Sequence, residues 1–217
     1  MKKNKKKIKK IKKMSNCIIE NNPSLNIKIL EKQAIKILIE MVINRDYKII
    51  ENYTEIDELP VESHSQSEYI PVESHSQSEY ILKCEKNNKI ILCFLCKEDK
   101  LNIQGIKDKM TVMNRENANQ AIIIYREGVT PSVKKSFETS NYVFELFNIK
   151  ELQINITQHR LVPKHEKVPM EESFQKIKDK IPNILSTDAI SRYYNFQRGD
   201  IIKITRKDGS IIYRLVK

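Results

Sequence analysis

Several constellations in this 217-residue chain use residue types that can do chemistry. The first is Glu98-Asp99-Lys100, an acid and a lysine two apart, just after an apolar run. On a strand, positions i and i+2 share a face. A carboxylate and an ammonium would then stand together beside a divalent metal, the arrangement of a metal-dependent nuclease. That chemistry needs a second acid, usually in an upstream Pro-Asp pair, and the sequence has none. With 39 Lys+Arg in the chain, E-x-K also arises by chance.

The cysteines and histidines point away from metal chemistry. Cys93-Phe94-Leu95-Cys96 is a lone C-x-x-C inside the apolar run Ile90–Cys96. On a strand, positions three apart face opposite sides, and no second C-x-x-C completes a zinc site. Core cysteine is the expectation, because free Cys behaves as a small buried hydrophobe. His64 and His75 are one position of an identical tandem repeat, P-V-E-S-H-S-Q-S-E-Y-I at 60–70 and 71–81. Its Ser, Gln, Glu and Pro content reads as an exposed loop from a local duplication, and two copies are too few for a solenoid. His159 and His165 flank Pro163 with no third ligand nearby, which favours structural or interface roles.

Two further stretches carry charge rather than catalysis. In Arg126–Phe137 (R-E-G-V-T-P-S-V-K-K-S-F), Thr130 suits a helix N-cap and Pro131 the first helical position, with Ser132, Lys134 and Lys135 following. A helix N-terminus offers free N–H groups to a phosphate or other anion; the plainer reading is that Thr130-Pro131-Ser132 caps the helix. Arg198-Gly199-Asp200 spells an adhesion tripeptide but reads as a turn entering a strand. No P-loop, dinucleotide-binding Gly motif, H-E-x-x-H or Gly-x-Ser-x-Gly elbow is present. No catalytic residue, metal ligand or cofactor is expected, and no small-molecule substrate.

The elements that position these residues follow from periodicity. Pro23 opens an amphipathic helix over 23–44, with Ile27, Leu30, Ala34, Leu38, Met41 and Val42 on one stripe. Tyr47–Tyr53, Lys89–Cys96, Gln120–Tyr125 and Tyr142–Phe147 read as strands, and Gly105–Asn117 as helix or loop. Met170–Lys180 and Thr187–Asn195 suit short helices. The chain closes on two β-branched runs, Ile201–Arg206 and Ser210–Val216, around Asp208-Gly209. Asp-Gly there predicts a hairpin with a type I′ turn, which needs φ > 0 at both residues. The hairpin is basic and only marginally stable alone, so it must rest on the residues before it.

Net charge is +11, but residues 1–13 hold nine lysines and no acid. The remaining body is nearly neutral, with 30 Lys+Arg against 28 Asp+Glu. Residues 1–20 therefore read as a basic, disordered tail suited to nucleic acid, an acidic surface or an import signal, or simply to solubility. The basic start has no apolar segment after it and no run of 18 apolar residues follows, so an intracellular protein without membrane attachment is expected. The abundance of Ile, Lys and Asn reflects A/T-rich codons.

The stretch Asn155–His165 (N-I-T-Q-H-R-L-V-P-K-H), the Asp188–Tyr193 segment, Arg198–Arg206 (R-G-D-I-I-K-I-T-R) and Tyr213–Val216 (Y-R-L-V) together resemble one family. It is the fifth-subunit family of multisubunit DNA-dependent RNA polymerases, shared by the eukaryotic nuclear enzymes and related to an archaeal counterpart. The resemblance covers 151–217 in order and spacing. It extends through 23–150 by Arg45-Asp46-Tyr47 and I-I-I-Y-R-E-G-V-T-P-S. It implies an α/β N-terminal jaw-like domain at 21–150, a mixed sheet with helices, carrying an exposed repeat loop at 60–81. A small α+β C-terminal assembly domain would follow at 151–217.

The implied role is that of a non-catalytic subunit. The assembly domain would dock on the largest subunit, among other polymerase subunits, and the jaw would lie near downstream DNA. Carried over, Thr130, Pro131, Ser132 and Lys134 would be DNA-proximal. His159, Leu161, Val162, Pro163, His165, Arg198, Gly199, Lys203, Arg206, Tyr213 and Arg214 would bind the partner. The chain departs from the family in Ala189 after Asp188 where Pro is usual, in Asn183 where Arg is common, and in a tight Lys207–Ser210 turn. These departures and the A/T bias suggest a large DNA virus carrying its own polymerase, placing the protein in a virion or virus factory. An A/T-rich protist, with a nuclear protein, is the other source considered.

Overall fold

The structure is a computed structural model that describes residues 23–53, 80–169 and 180–217. The lysine tail, the repeat up to Glu79 and the helix expected over 170–180, Lys180 excepted, lie outside the described residues. The chain divides into two compact units. One comprises the chain to Leu38 with Lys48–Gln153, and the other Ile39–Tyr47 with Ile154–Lys217.

The first unit is built on a five-stranded mixed sheet. Its strands are β1 (Lys48–Asn52), β2 (Leu82–Lys86), β3 (Lys89–Leu95), β5 (Gln120–Tyr125) and β7 (Val143–Asn148), in the order β1-β2-β3-β5-β7. β1, β2 and β3 pair antiparallel, whereas β3, β5 and β7 run parallel. Parallel pairing needs crossovers. Helix α2 (Ile103–Arg115) lies between β3 and β5 in sequence, and α3 (Pro131–Glu138) between β5 and β7. Leu92, Phe94, Cys96, Ala121 and Ile123 pack with Ile106, Val112 and Met113 of α2 and Val133 of α3 in one cluster. The residues of opposite parity, Ile91, Cys93, Ile122 and Ile124, are buried as well. Burial of both faces is why β3 and β5 read as unbroken apolar runs.

Helix α1 (Pro23–Asn44) gives its residues up to Leu38 to this unit. Arg126 grips Glu31 through Nη2 (2.6 Å) and Nε (3.1 Å), and Gln153 Nε2 donates to the Leu30 carbonyl at 3.0 Å. α2 opens on Asn102, whose side chain accepts from Gly105 N at 2.8 Å. β2 is a strand the sequence pattern does not announce. It is joined to β3 by Asn87-Asn88, with φ of 53° and 60°, the two left-handed residues of a type I′ turn. The repeat meets the sheet at its end. Tyr80 is buried and Ile81 bonds both Cys93 and Tyr53 through its backbone, so these two residues are not exposed loop.

Across the β1–β2 edge, Lys83 Nζ bridges Glu116 at 2.9 Å and Glu51 at 3.4 Å. The Tyr80 hydroxyl also donates to Glu51. That hydrogen bond, more than any other influence, holds the Glu51 carboxyl below the usual range. Lys83 does the same for Glu116 and is itself raised by it. Burial, then Glu51, pushes the Tyr80 hydroxyl up.

The second unit carries a four-stranded sheet, β8 (Lys164–Val168), β10 (Ile201–Thr205), β11 (Ile211–Val216) and β9 (Asn183–Ile184), in that order. β8–β10 and β10–β11 are antiparallel and β11–β9 parallel. Helix α4 (Ala189–Tyr194) is capped by Asp188, which accepts from Ile190 N at 3.0 Å, and ends on Asn195 in the left-handed region (φ 55°). Ile190, Phe196, Ile202, Ile204 and Val216 form the core, flanked by Ile156, Val162, Ile184, Tyr194 and Ile212. On the other sheet face Ile181, Ile201 and Leu215 cluster with Val168 and Tyr213.

The closing turn differs from the type I′ expectation. Only Gly209 has positive φ (83°); Asp208 does not. Gly209 N donates to the Arg206 carbonyl (3.0 Å) and Arg206 N to Ser210 O (2.9 Å). This is a three-residue loop, Lys207-Asp208-Gly209, with glycine in the left-handed position. The Asp208 carboxylate accepts from Ser210 N and Oγ, an arrangement that favours the longer loop. The extra residue changes the register. A two-residue Asp-Gly turn would set Lys203 opposite Arg214, whereas here Lys203 faces Tyr213.

Candidate docking and nucleic-acid surfaces

In the first unit the segment expected to lie near DNA is held by a small parallel bridge, β4 (Lys100–Leu101) with β6 (Gly128–Val129). Thr130 N donates to the Leu101 carbonyl at 3.1 Å. The Thr130 carbonyl accepts from Val133 N (3.1 Å) and Lys134 N (3.4 Å), and buried Val133 anchors the first turn of α3. Thr130 occupies the cap position, but its side chain makes no capping hydrogen bond, contrary to the plain capping reading. Thr130 is half-buried; Pro131, Ser132, Lys134 and Lys135 are exposed. The arrangement presents hydroxyls and two ammonium groups at one helix start, groups that can contact a phosphate backbone without reading sequence.

The nuclease arrangement does not form. Glu98 and Asp99 lie in a bend after β3, and only Lys100 is in a strand. Strand alternation therefore does not pair Glu98 with Lys100, and Glu98 instead accepts from Asn102 Nδ2 at 3.3 Å. Cys93 and Cys96 are both buried. Cys96 belongs to the α2-side cluster and Cys93 to the residues of opposite parity, as core cysteines. Among the described residues no group of three or more His, Cys, Asp or Glu could hold a metal ion. His64 and His75 lie outside the described residues.

In the second unit the expected partner-binding residues fall into three places. His159, Leu161, Val162 and Pro163 form the approach to β8. His159 and Leu161 are exposed, Leu161 at 75%. His159 Nδ1 accepts from Leu161 N (3.3 Å), and Val162 turns inward to the core. Arg198 and Gly199 form the turn into β10. Gly199 takes φ 94° and donates to the Val216 carbonyl at 2.9 Å, while the Asp200 carboxylate accepts from Gln197 N and pairs with Lys167, each at 2.8 Å. The tripeptide is thus a turn entering a strand.

The remainder are split by the sheet. Register puts His165, Ile204 and Ile212 on the face that packs α4, with Arg214 between Ile212 and Val216. Arg214 Nη1 donates to the Asn183 carbonyl at 2.9 Å, and His165 Nδ1 sits 2.8 Å from the Pro163 carbonyl. Lys203 and Tyr213 stand on the opposite face, with Glu166 beside Lys203 on β8. Arg206 is exposed at the turn. His159 and His165 do not converge on a common ligand position.

One group was missed by sequence reasoning. Arg45, 5% exposed, donates from Nε to the Tyr193 carbonyl (2.8 Å) and from Nη2 to the Arg192 carbonyl (2.7 Å) at the end of α4. Asn44 Nδ2 donates to the Tyr193 hydroxyl (2.9 Å), and buried Asn155 donates to Glu40 at 2.6 Å. Burial pushes the Tyr193 hydroxyl up. A cation at the carbonyl end of a helix satisfies orphan acceptors and opposes the helix dipole. Arg45 lies in the Arg45-Asp46-Tyr47 run that carries the resemblance, but its partners lie almost 150 positions away in sequence, so no local signal names its role.

Residues 154–216 match the family model described as RNA polymerase Rpb5, C-terminal domain. The chain is 34% identical over 139 residues to DNA-directed RNA polymerases I, II, and III subunit rpabc1 of Dictyostelium discoideum, covering 58% of this chain and 71% of that protein. The chain belongs to the Rpb5 family. It is also 36% identical over 135 residues to the RPABC1 subunit of Caenorhabditis briggsae, covering 57% of this chain and 64% of that protein. A putative DNA-directed RNA polymerase subunit of Invertebrate iridescent virus 6 is 40% identical over 110 residues, covering 44% and 60%. The chain thus spans just under two thirds of the nematode Rpb5 relative's length. The family model's 154–216 lies within the second unit's Ile154–Lys217.

Proposed function

We propose that this chain is a non-catalytic subunit of a DNA-dependent RNA polymerase, acting in transcription through contacts rather than chemistry. Residues 151–217 are the assembly module that docks on the largest subunit, beside other subunits. Residues 21–150 form the jaw-like domain lying near downstream DNA, with Thr130, Pro131, Ser132 and Lys134 toward the backbone. Family membership carries the reading, the C-terminal match over 154–216 above all. The exposed basic groups at the start of α3 and on the closing hairpin agree with it. The protein works inside the cell, in the nucleus or, if viral, in a virus factory or virion. Among the described residues no helix is long and apolar enough to cross a membrane.

The experiment is co-purification of the tagged full chain from its own cells or infected host. Recovery of the large polymerase subunits in stoichiometric amounts is expected, and their absence removes the reading. For the DNA-proximal segment, Lys134→Ala with Lys135→Ala in the assembled enzyme should weaken downstream-DNA retention and flatten its salt dependence. Unchanged retention across a salt titration would place the DNA contact elsewhere.

A further inference from the structure

Between α2 and α3 the first unit carries a groove of about 330 Å³ that takes no part in the contacts described above. α2 turns Ile103, Ile106, Lys107 and Met110 toward it, positions i, i+3, i+4 and i+7 and hence one helix face. α3 presents Ser136, and the chain after it Thr139 and Ser140, side chains too short to fill the space. Ile106 is buried, Met110 and Tyr142 are half-buried, and Ile103 is 37% exposed. The three hydroxyls are engaged within the chain. Ser136 Oγ donates to the Val133 carbonyl (2.8 Å), Thr139 Oγ1 donates to the Ser136 carbonyl (3.2 Å), and Ser140 Oγ accepts from Tyr142 N (3.0 Å). The groove therefore offers mainly apolar surface. Its border is cationic. Lys107 lines one wall, and Lys135, one helical turn before Thr139, stands beside the other. Both are exposed, and neither has an ion-pair partner among the described residues. No described acid lines the groove; on α2 Asp108 accepts from Gln104, one turn back along the helix, at 2.8 Å.

We infer that this groove takes a short acidic protein segment, which inserts a bulky apolar side chain beside Ile103, Met110 and Tyr142 and sets carboxylates against Lys107 and Lys135. The inference goes beyond the polymerase-subunit reading and does not rest on it. The apolar floor selects protein over nucleic acid, because a phosphate backbone has nothing to bury there. The engaged hydroxyls leave a small polar ligand few groups to bind. The two lysines, with no acid between them, select an acidic segment over a basic one. Methionine beside an exposed isoleucine edge can adapt to more than one apolar side chain. A groove of this size holds one short segment, so the contact is a weak, transient one rather than a permanent subunit interface.

The test titrates the purified full chain, methyl-labelled at isoleucine and methionine, with a synthetic acidic peptide carrying leucine and phenylalanine. Two control peptides replace its acids by lysine or its apolar residues by alanine. NMR shifts at the Ile103, Ile106 and Met110 methyls are expected with the first peptide alone, while Ile202 and Ile204 of the second unit stay unmoved. Lys107→Glu and Ile103→Asp should each weaken that binding about tenfold with unchanged thermal melting. Lys107 is exposed, and an aspartate at the first position of α2 suits the N-terminal end of the helix dipole. The nine lysines of residues 1–13 attract acidic peptides by charge alone. The inference is therefore overturned if the alanine peptide binds as tightly as the first, or if the first binds without moving the groove methyls. Groove shifts with the lysine peptide or with a short DNA duplex, or no binding of the first peptide at all, overturn it too. Lys107→Glu keeps the test decisive should Ile103→Asp misfold. Recovery of polymerase subunits is a separate measurement, so the failure of either reading leaves the other standing.

Discussion

The two sheets spend their apolar residues differently. In the first unit β3 and β5 are buried on both faces, so nearly every residue of Ile91–Phe94 and Ala121–Ile124 goes to the interior. In the second, the α4 side of β10 and β11 carries Ile202, Ile204 and Val216 in one core, while on the other side, among the described residues, Ile201 and Leu215 cluster with Ile181, Val168 and Tyr213. The difference separates roles. A sheet buried on both sides is a rigid support whose functional groups sit on connections, such as the one before α3. A sheet with one half-open face can offer the strands themselves as a contact surface.

The sharpest way to break this comparison is to truncate one isoleucine in each sheet. Ile123, with no exposed surface, should cost about 3 kcal/mol on Ile123→Ala, from lost burial plus a cavity. Ile211, in a strand of equal length but half-exposed, should cost less than about 0.5 kcal/mol on Ile211→Ala. Urea denaturation of the full chain measures both. Equal losses would mean that the second unit's face is as closed as the first's.

Much of the first unit was legible because burial on both faces leaves an unmistakable apolar run. The pattern also places α1, β7 and the helix after Thr130 within a residue or two. β2 was missed because Leu82–Lys86 reads L-K-C-E-K, a short polar alternation, and its existence depends on the Asn87-Asn88 turn that pairs it with β3. In the second unit the closing hairpin was legible but its register was not. The turn holds one more residue than Asp-Gly alone suggests, and a one-residue slip reassigns faces. That slip decides whether Lys203 stands with Arg214 or with Tyr213, so the sequence could not say which of the expected partner-binding residues share a face. Arg45 lay beyond reach because nothing in a helix end foretells which distant carbonyls it will meet.

Arg45 offers the next test, because it is a buried cation whose partners are the carbonyls at the end of α4. Arg45→Met keeps much of the stem but leaves the Arg192 and Tyr193 carbonyls without the guanidinium. A loss of about 2–3 kcal/mol is expected, with faster hydrogen exchange at Asn195 and Phe196. If exchange there is unchanged, the end of α4 is held by its own Asn195 cap and Arg45 is incidental.

A smaller effect probes the ion pairs around Lys83 at the β1–β2 edge. Glu116 and Glu51 are held below the ordinary carboxylate range and Lys83 above the ordinary lysine range, by each other and by hydrogen bonds. Groups with depressed folded-state values stabilise above the unfolded range and lose that contribution as pH falls through the folded value. The raised lysine stabilises below its unfolded value of 10.5 and loses its contribution as pH rises past it. Glu116→Gln should therefore cost about 1 kcal/mol at neutral pH, discounted because the pair is partly solvated. The difference from wild type should shrink as pH falls through the depressed folded-state value of Glu116. A pH-independent difference would mean that Glu116 acts by packing.

The smallest effect concerns Ala189, where the resemblance leads us to expect proline. Ala189 is the first residue of α4, where proline is tolerated because its missing N–H would have no helical partner. Asp188 already has φ −59° and ψ 141°, the extended conformation that a following proline imposes, and it accepts from Ile190 N rather than from residue 189. Ala189→Pro should therefore leave the cap intact and stabilise the second unit by about 0.4–1 kcal/mol, by restricting the unfolded chain. Thermal melting of the full chain measures it. Destabilisation instead would mean that the backbone at 188–189 is set by something other than the cap.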